Sequence, residues 1–160
     1  MKPDLDKLAE SIEKAGKVQR VVEFQCPYID EFYVKIAHAN KFIMSQIIDF
    51  ARETQESVVR RGQTQEIERL NEDLLRQGYA EWIVTGWRGL TVDKLAKLIP
   101  GFKAEGAEST EQEVPYATQI AIALFKVSLE FETWVVGIAT NLKNYTRAAK
   151  KKAKQLENLV

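Results

Sequence analysis

Few residues of this chain have the side chains that chemistry needs. Its one cysteine, Cys26, and its one histidine, His38, could lie near each other across a hairpin, and a thiol beside an imidazole is the smallest pair that performs nucleophilic catalysis. No third group is specified to orient the ring. Cys26 precedes Pro27 at a strand end and His38 sits between alanines, so both read as packed or loop residues. The eight glycines form neither GxGxxG nor GxxxxGK[ST], and GWRG at 86–89 lacks the lysine and the preceding strand of a phosphate loop. The glutamates show no ExxH spacing of the di-metal bundles, and a single cysteine completes no thiolate cluster. The sequence therefore predicts no catalytic residue, no metal and no cofactor, and a protein that is not an enzyme.

Two stretches remain as binding candidates. In NLKNYTRAAKKKAKQ, Lys143, Arg147, Lys150, Lys151, Lys152 and Lys154 meet no acid before Glu157; on a helix they could grip phosphates while Tyr145 stacks on a base. Cations at a helix C-terminus also complement its dipole and stay solvated, and that reading is preferred. In WIVTGWRGL, Trp82 continues the stripe of a preceding helix and is expected to be buried. Trp87 falls where Gly86 and Gly89 must end that helix, with Arg88 free to bond its last carbonyls. The expectation is aromatic packing at a helix end; the alternative is an exposed Trp87 acting with Arg88 as an interface anchor. The partner-binding candidates are thus Trp87, Arg88, Tyr145, Arg147, Lys150, Lys151 and Lys152.

The elements that would position them follow from periodicity. Leu5, Leu8, Ala9, Ile12 and Ala15 recur at helical spacing in residues 3–16, with Asp4 as cap and Gly16 as stop. VQRVVEFQC and EFYVKIA read as a hairpin over 18–37. Residues 40–100 read as helical. One helix runs from an Asn40 cap to about Arg60, a second from Gly62 through Ile83 with Gly78 admitting a close neighbour, and a short third is TVDKLAKLI. Residues 103–113 offer four glutamates and no large apolar side chain, as an exposed acidic loop does, and helices resume over 115–158. The predicted fold is mainly α, a single domain over 1–160 with a small N-terminal β-hairpin.

At 160 residues, 45% of them apolar and 29% charged, the chain is an ordinary globular one. Its 23 basic residues equal its 23 acidic ones, so no overall field draws it to nucleic acid or an anionic membrane. The N-terminus alternates charges where a signal peptide would need an apolar run, and no run reaches membrane-spanning length. Cytoplasm is the expected compartment.

The run from Ile67 to Ala139 resembles the tail assembly chaperones of long-tailed bacteriophages. The matching pieces are AEWIVTGWRGL, a variable stretch to Glu113, VPYATQIAIALF and FETWVVGIATNLKNY; EFYVKIAHANKF is similar to the family's N-terminal strand and first long helix. Residues 3–15 have no counterpart. The resemblance implies a non-enzymatic bacteriophage protein of the host cytoplasm that binds the tape-measure protein and promotes tail-tube assembly through the tail-tube protein. It also implies a longer frameshifted product, for which Lys150-Lys151-Lys152 suit slippery codons. No membrane is expected and nucleic acid is not the expected partner. Self-association stays open, as do a structural virion or tail-completion component and a nucleic-acid-binding accessory protein using the basic C-terminal helix.

Overall fold

A computed structural model describes residues 2–60, 63–103 and 109–146. Helix α1, Leu5–Gly16, starts at Asp4, whose Oδ1 accepts hydrogen bonds from the amides of Asp6 and Lys7 at 3.2 and 3.3 Å. Such a cap satisfies donors that the first helical turn leaves open. Strands β1, Val21–Gln25, and β2, Tyr33–Ala37, pair antiparallel from Val21↔Ala37 to Gln25↔Tyr33. Helix α2, Lys41–Ala51, is capped by Asn40 and buries Ile43, Ile47 and Ala51.

From Arg52 the chain departs from the predicted all-helical course. β3, Arg52–Arg60, and β4, Gln63–Leu70, form a two-stranded antiparallel ribbon with an irregular register between Gln55 and Val58. The local composition explains the difference. Thr54, Val58, Val59, Thr64 and Ile67 are β-branched, and Arg61-Gly62 between them is hairpin-turn chemistry as readily as a helix stop. Arg61 and Gly62 themselves lie outside the described residues.

Helix α3, Glu72–Gly78, is capped by Asn71 and packs against α2. A β-carbon on Gly78 would stand 2.9 Å from Cγ2 of Ile47, so the missing side chain sets how closely these helices approach. A π-helical turn, Tyr79–Ile83, then releases the chain into β5, Val84–Arg88. This strand pairs antiparallel with β2 to complete a sheet of order β1-β2-β5, with a bulge between Lys35 and Ile36. The fold is therefore mixed α/β, a three-stranded antiparallel sheet and a separate ribbon with five α-helices among the described residues. This corrects the mainly α expectation, in which strands stopped at Ala37. Short β-branched runs such as Ile83-Val84-Thr85 fit a strand at least as well as a helix end, and pairing with the distant β2 selects the strand.

After β5 a 3-10 turn, Asp93–Lys97, leads to the acidic stretch, of which 104–108 lie outside the described residues. Ser109 to Glu113 are exposed but not loose. The amide of Val92 donates to the carbonyl of Gln112 at 3.0 Å, that of Asp93 to Thr110 at 2.8 Å and that of Val114 to Leu90 at 2.8 Å. Helices α4, Thr118–Val127, and α5, Leu129–Thr140, come next. The break is Ser128, extended in backbone, whose hydroxyl accepts from the Phe131 amide and so opens a new helix. A last 3-10 turn, Leu142–Tyr145, closes the described chain.

The core lies between the sheet and the helices. Val34, Ile36 and Val84 meet Ile43 and Ile47 of α2, Leu124 and Phe125 of α4, and Phe131 and Val135 of α5 in one cluster of buried side chains. Alternation along β2 leaves Tyr33 and Lys35 on the other face of the sheet.

Candidate functional site

The residues 82–90 divide at the junction between the π turn and β5. On one side, Trp87 is half-buried, and its indole N–H donates to the carbonyl of Val114 at 2.9 Å. Its ring stands edge-on to Tyr116, with centroids 4.9 Å apart, and to Phe32 at 5.9 Å. The Tyr116 hydroxyl lies 2.6 Å from the carbonyl of Ala80 and 2.9 Å from that of Val84, joining the π turn to the strand. GWRG and VPY, far apart in sequence, thus form one aromatic joint. Gly89 permits it: its φ is +82°, and a β-carbon there would lie 1.9 Å from the carbonyl oxygen of Glu31.

Arg88 works on the opposite face of the sheet. Its guanidinium forms a forked pair with Glu23, with Nη2 2.8 Å from Oε1 and Nε 3.2 Å from Oε2, and lies 4.2 Å over the Tyr33 ring. The Glu23 side chain is 6% exposed and that of Arg88 42%, so the pair is a covered carboxylate under a partly wet cation. The pairings Glu23↔Lys35 and Lys35↔Gly86 lay these residues in a row across the three strands. Because Gly86 has no side chain, the row ends in an open depression of about 430 Å³, lined by Glu23, Lys35, Thr85, Trp87, Arg88 and Tyr116 besides that glycine. Its groups suit packing and polar contact. The depression holds no base poised beside a nucleophile, and among the described residues no group of three His, Cys, Asp or Glu side chains could hold a metal ion.

On the other side of the junction, Trp82 is half-buried where burial was expected. Its ring meets Phe50 edge-on at 5.4 Å, and Phe50 and Phe42 are 44% and 40% exposed on the outer face of α2. Periodicity placed Trp82 on the stripe of one helix running from Gly62, whereas Ile67 and Leu70 of that stripe lie in β4 and Trp82 lies in the π turn.

The remaining candidates fall elsewhere. Tyr145 is 2% exposed; its hydroxyl donates to the Ile36 carbonyl at 3.1 Å, and burial pushes its phenol well above the usual tyrosine range. Such a ring cannot stack on a base. Arg147, Lys150, Lys151 and Lys152 lie outside the described residues. Cys26 and His38 adjoin opposite ends of the β1-β2 hairpin, the Cys26 amide donating to the Phe32 carbonyl and the His38 amide to that of Arg20, so roughly 20 Å of strand separates them. Burial raises the Cys26 thiol pKa, and burial followed by the charge of Arg20 lowers that of His38, which keeps both groups neutral.

Glu23, Lys35 and Tyr116 were missed by the sequence reading. Their one local signal is Glu23 alternating with Val22 and Phe24, a lone acid on the polar face of a strand. Neither a curated protein nor a solved structure matches this chain. The sequence model of the YdaY prophage protein family matches residues 48–158, from α2 through the ribbon and the Trp87–Tyr116 joint to the C-terminal segment. That match covers well over half of the sequence, and the chain is a phage-related protein that belongs to the YdaY prophage protein family.

Proposed function

We propose that this prophage protein is a non-enzymatic tail assembly chaperone that holds apolar helices of a tape-measure protein and hands them to the tail-tube protein in the host cytoplasm. The observation that carries the reading is the aromatic surface of α2 and the π turn, where Phe50, 44% exposed, meets the half-buried Trp82 edge-on at 5.4 Å and Phe42 is 40% exposed on the same helix. Large apolar groups left together on a surface mark a place where another chain binds, and an amphipathic client helix laid along α2 is the simplest occupant. The phage origin of the family and the resemblance of 67–139 to tail assembly chaperones support the choice of client. Burial of Tyr145 removes the base-stacking group from the nucleic-acid alternative.

Co-expression with the tape-measure protein of the same prophage tests this reading. The wild type should keep the client soluble, and the complex should survive high salt, because screening weakens exposed ion pairs but not apolar burial. The double variant F42S/F50S should stay folded and release the client. A wild type that leaves the tape measure insoluble, or a double variant that holds it normally, overturns the proposal.

A further inference from the structure

The aromatic surface of α2 has an apolar helix tethered at its edge. Two hydrogen bonds fix the root of α1 there. The Asn40 side-chain amide donates to the carbonyl of Val18 at 3.3 Å, and that of Gln19 donates to the carbonyl of Trp82 at 3.4 Å. Asn40 caps the N-terminus of α2 and Trp82 is the ring that meets Phe50, so α1 leaves the body beside both parts of the surface. Its own apolar stripe, Leu5, Leu8 and Ile12, is 72%, 46% and 64% exposed, and none of its residues is buried.

Length, spacing and charge of the two helices correspond. At 1.5 Å per residue α1 is about 18 Å long and α2 about 17 Å. A bend at Lys17 lays them antiparallel, because the C-terminus of α1 and the N-terminus of α2 share the root. Counted from that root, Ile12 lies about 6 Å along α1 and Phe42 about 3 Å along α2, while Leu8 and Leu5, at about 12 and 17 Å, straddle Phe50 at about 15 Å. Phe42, Gln46 and Phe50 stand four apart and form one ridge, which suits the groove beside the stripe of α1. At the far end the Asp4 cap reaches Arg52, which also meets Asp49 at 3.7 Å and pairs across the ribbon with the exposed Leu70.

We propose that α1 closes over Phe42, Phe50 and Trp82 as a tethered lid that a client helix must displace, the client part resting on the function proposed above. The structure shows the lid open. A helix of 12 residues draws most of its stability from tertiary packing, which closure supplies. The short tether favours the α1 of the same chain over that of a second copy, because it gives the lid a high effective concentration at the surface.

Disulfide trapping in the full chain tests closure without a client. Two cysteines join only when their Cα atoms come within about 7 Å. With the native Cys26 buried, L8C/F50C should close within one chain under oxidised glutathione at least tenfold faster than E10C/F50C, because Glu10 lies on the far side of α1 from Leu8. Equal rates, or a disulfide that joins two chains, would overturn the proposal. By holding the lid open, L8E should tighten binding of the tape-measure protein severalfold, and unchanged binding would overturn the lid as a competitor. A wild type in which L8C/F50C traps fast but which binds no tape measure keeps the lid and overturns the client reading alone.

Discussion

Trp82 and Trp87 stand five residues apart and have opposite surroundings. Trp87 has its N–H bonded and two rings against its edges, and the strand that carries it is held between Arg88–Glu23 on one face and Tyr116 on the other. Trp82 has one ring neighbour, Phe50, which is itself half in solvent. The same residue type is thus a structural joint in one place and part of an open surface in the other. Tryptophan has enough apolar area for either use, and what decides is whether a second segment closes over it.

Substitutions can break that contrast in order of expected size. Gly89→Ala should cost the most, at least about 4 kcal/mol, because the added carbon meets the Glu31 carbonyl at a backbone angle that L-residues rarely adopt. Urea denaturation should find little folded protein, and a normal midpoint would show that the joint tolerates movement of Glu31. Trp87→Ala should follow at about 3 kcal/mol, through the cavity it leaves between Phe32 and Tyr116. Removing the Arg88 side chain with Arg88→Ala should cost about 2 kcal/mol, since the covered Glu23 carboxylate loses a charged, forked partner. Adding Glu23→Gln to that variant should recover part of the loss, and no recovery would mean that Arg88 acts through its stacking on Tyr33.

Buried Tyr145 adds a pH dependence. Its phenol titrates higher folded than unfolded, so its contribution is complete below the ordinary tyrosine pKa of about 10 and declines as pH rises beyond it. Burial raises Cys26 in the same direction, which starts the alkaline decline nearer pH 9. Thermal melts from pH 8 to 11 should show falling stability, and Tyr145→Phe should flatten the upper part of that fall. At neutral pH it should cost about 1 kcal/mol for the lost bond to Ile36. Trp82→Ala should be among the mildest, at about 1 kcal/mol, for it forfeits one edge-on ring contact. A loss as large as that of Trp87→Ala would mean that something in solution covers the α2 face.

Several elements could be read from residues that lie next to one another. Asp4 and Asn40 cap helices because their side chains reach amides two or three positions on, and β1 and β2 pair because two alternating runs flank a short loop. Gly78 marked a close helix approach before its neighbour, Ile47, was known. In the same local terms Ile83-Val84-Thr85 and the β-branched residues of 54–67 were ambiguous, because short apolar runs satisfy helical and strand periods alike.

By itself the sequence determined the balance of charge, the caps at Asp4 and Asn40 and the stripe of α1, and the last two depend only on neighbours within a turn. The tertiary structure alone decided that β5 joins β2, that Arg88 neutralises Glu23 and that Trp87 is enclosed by Tyr116 while Trp82 is not. Each of those pairings joins residues tens of positions apart, and their energy comes from burial and hydrogen bonds that exist only once the distant segments have met.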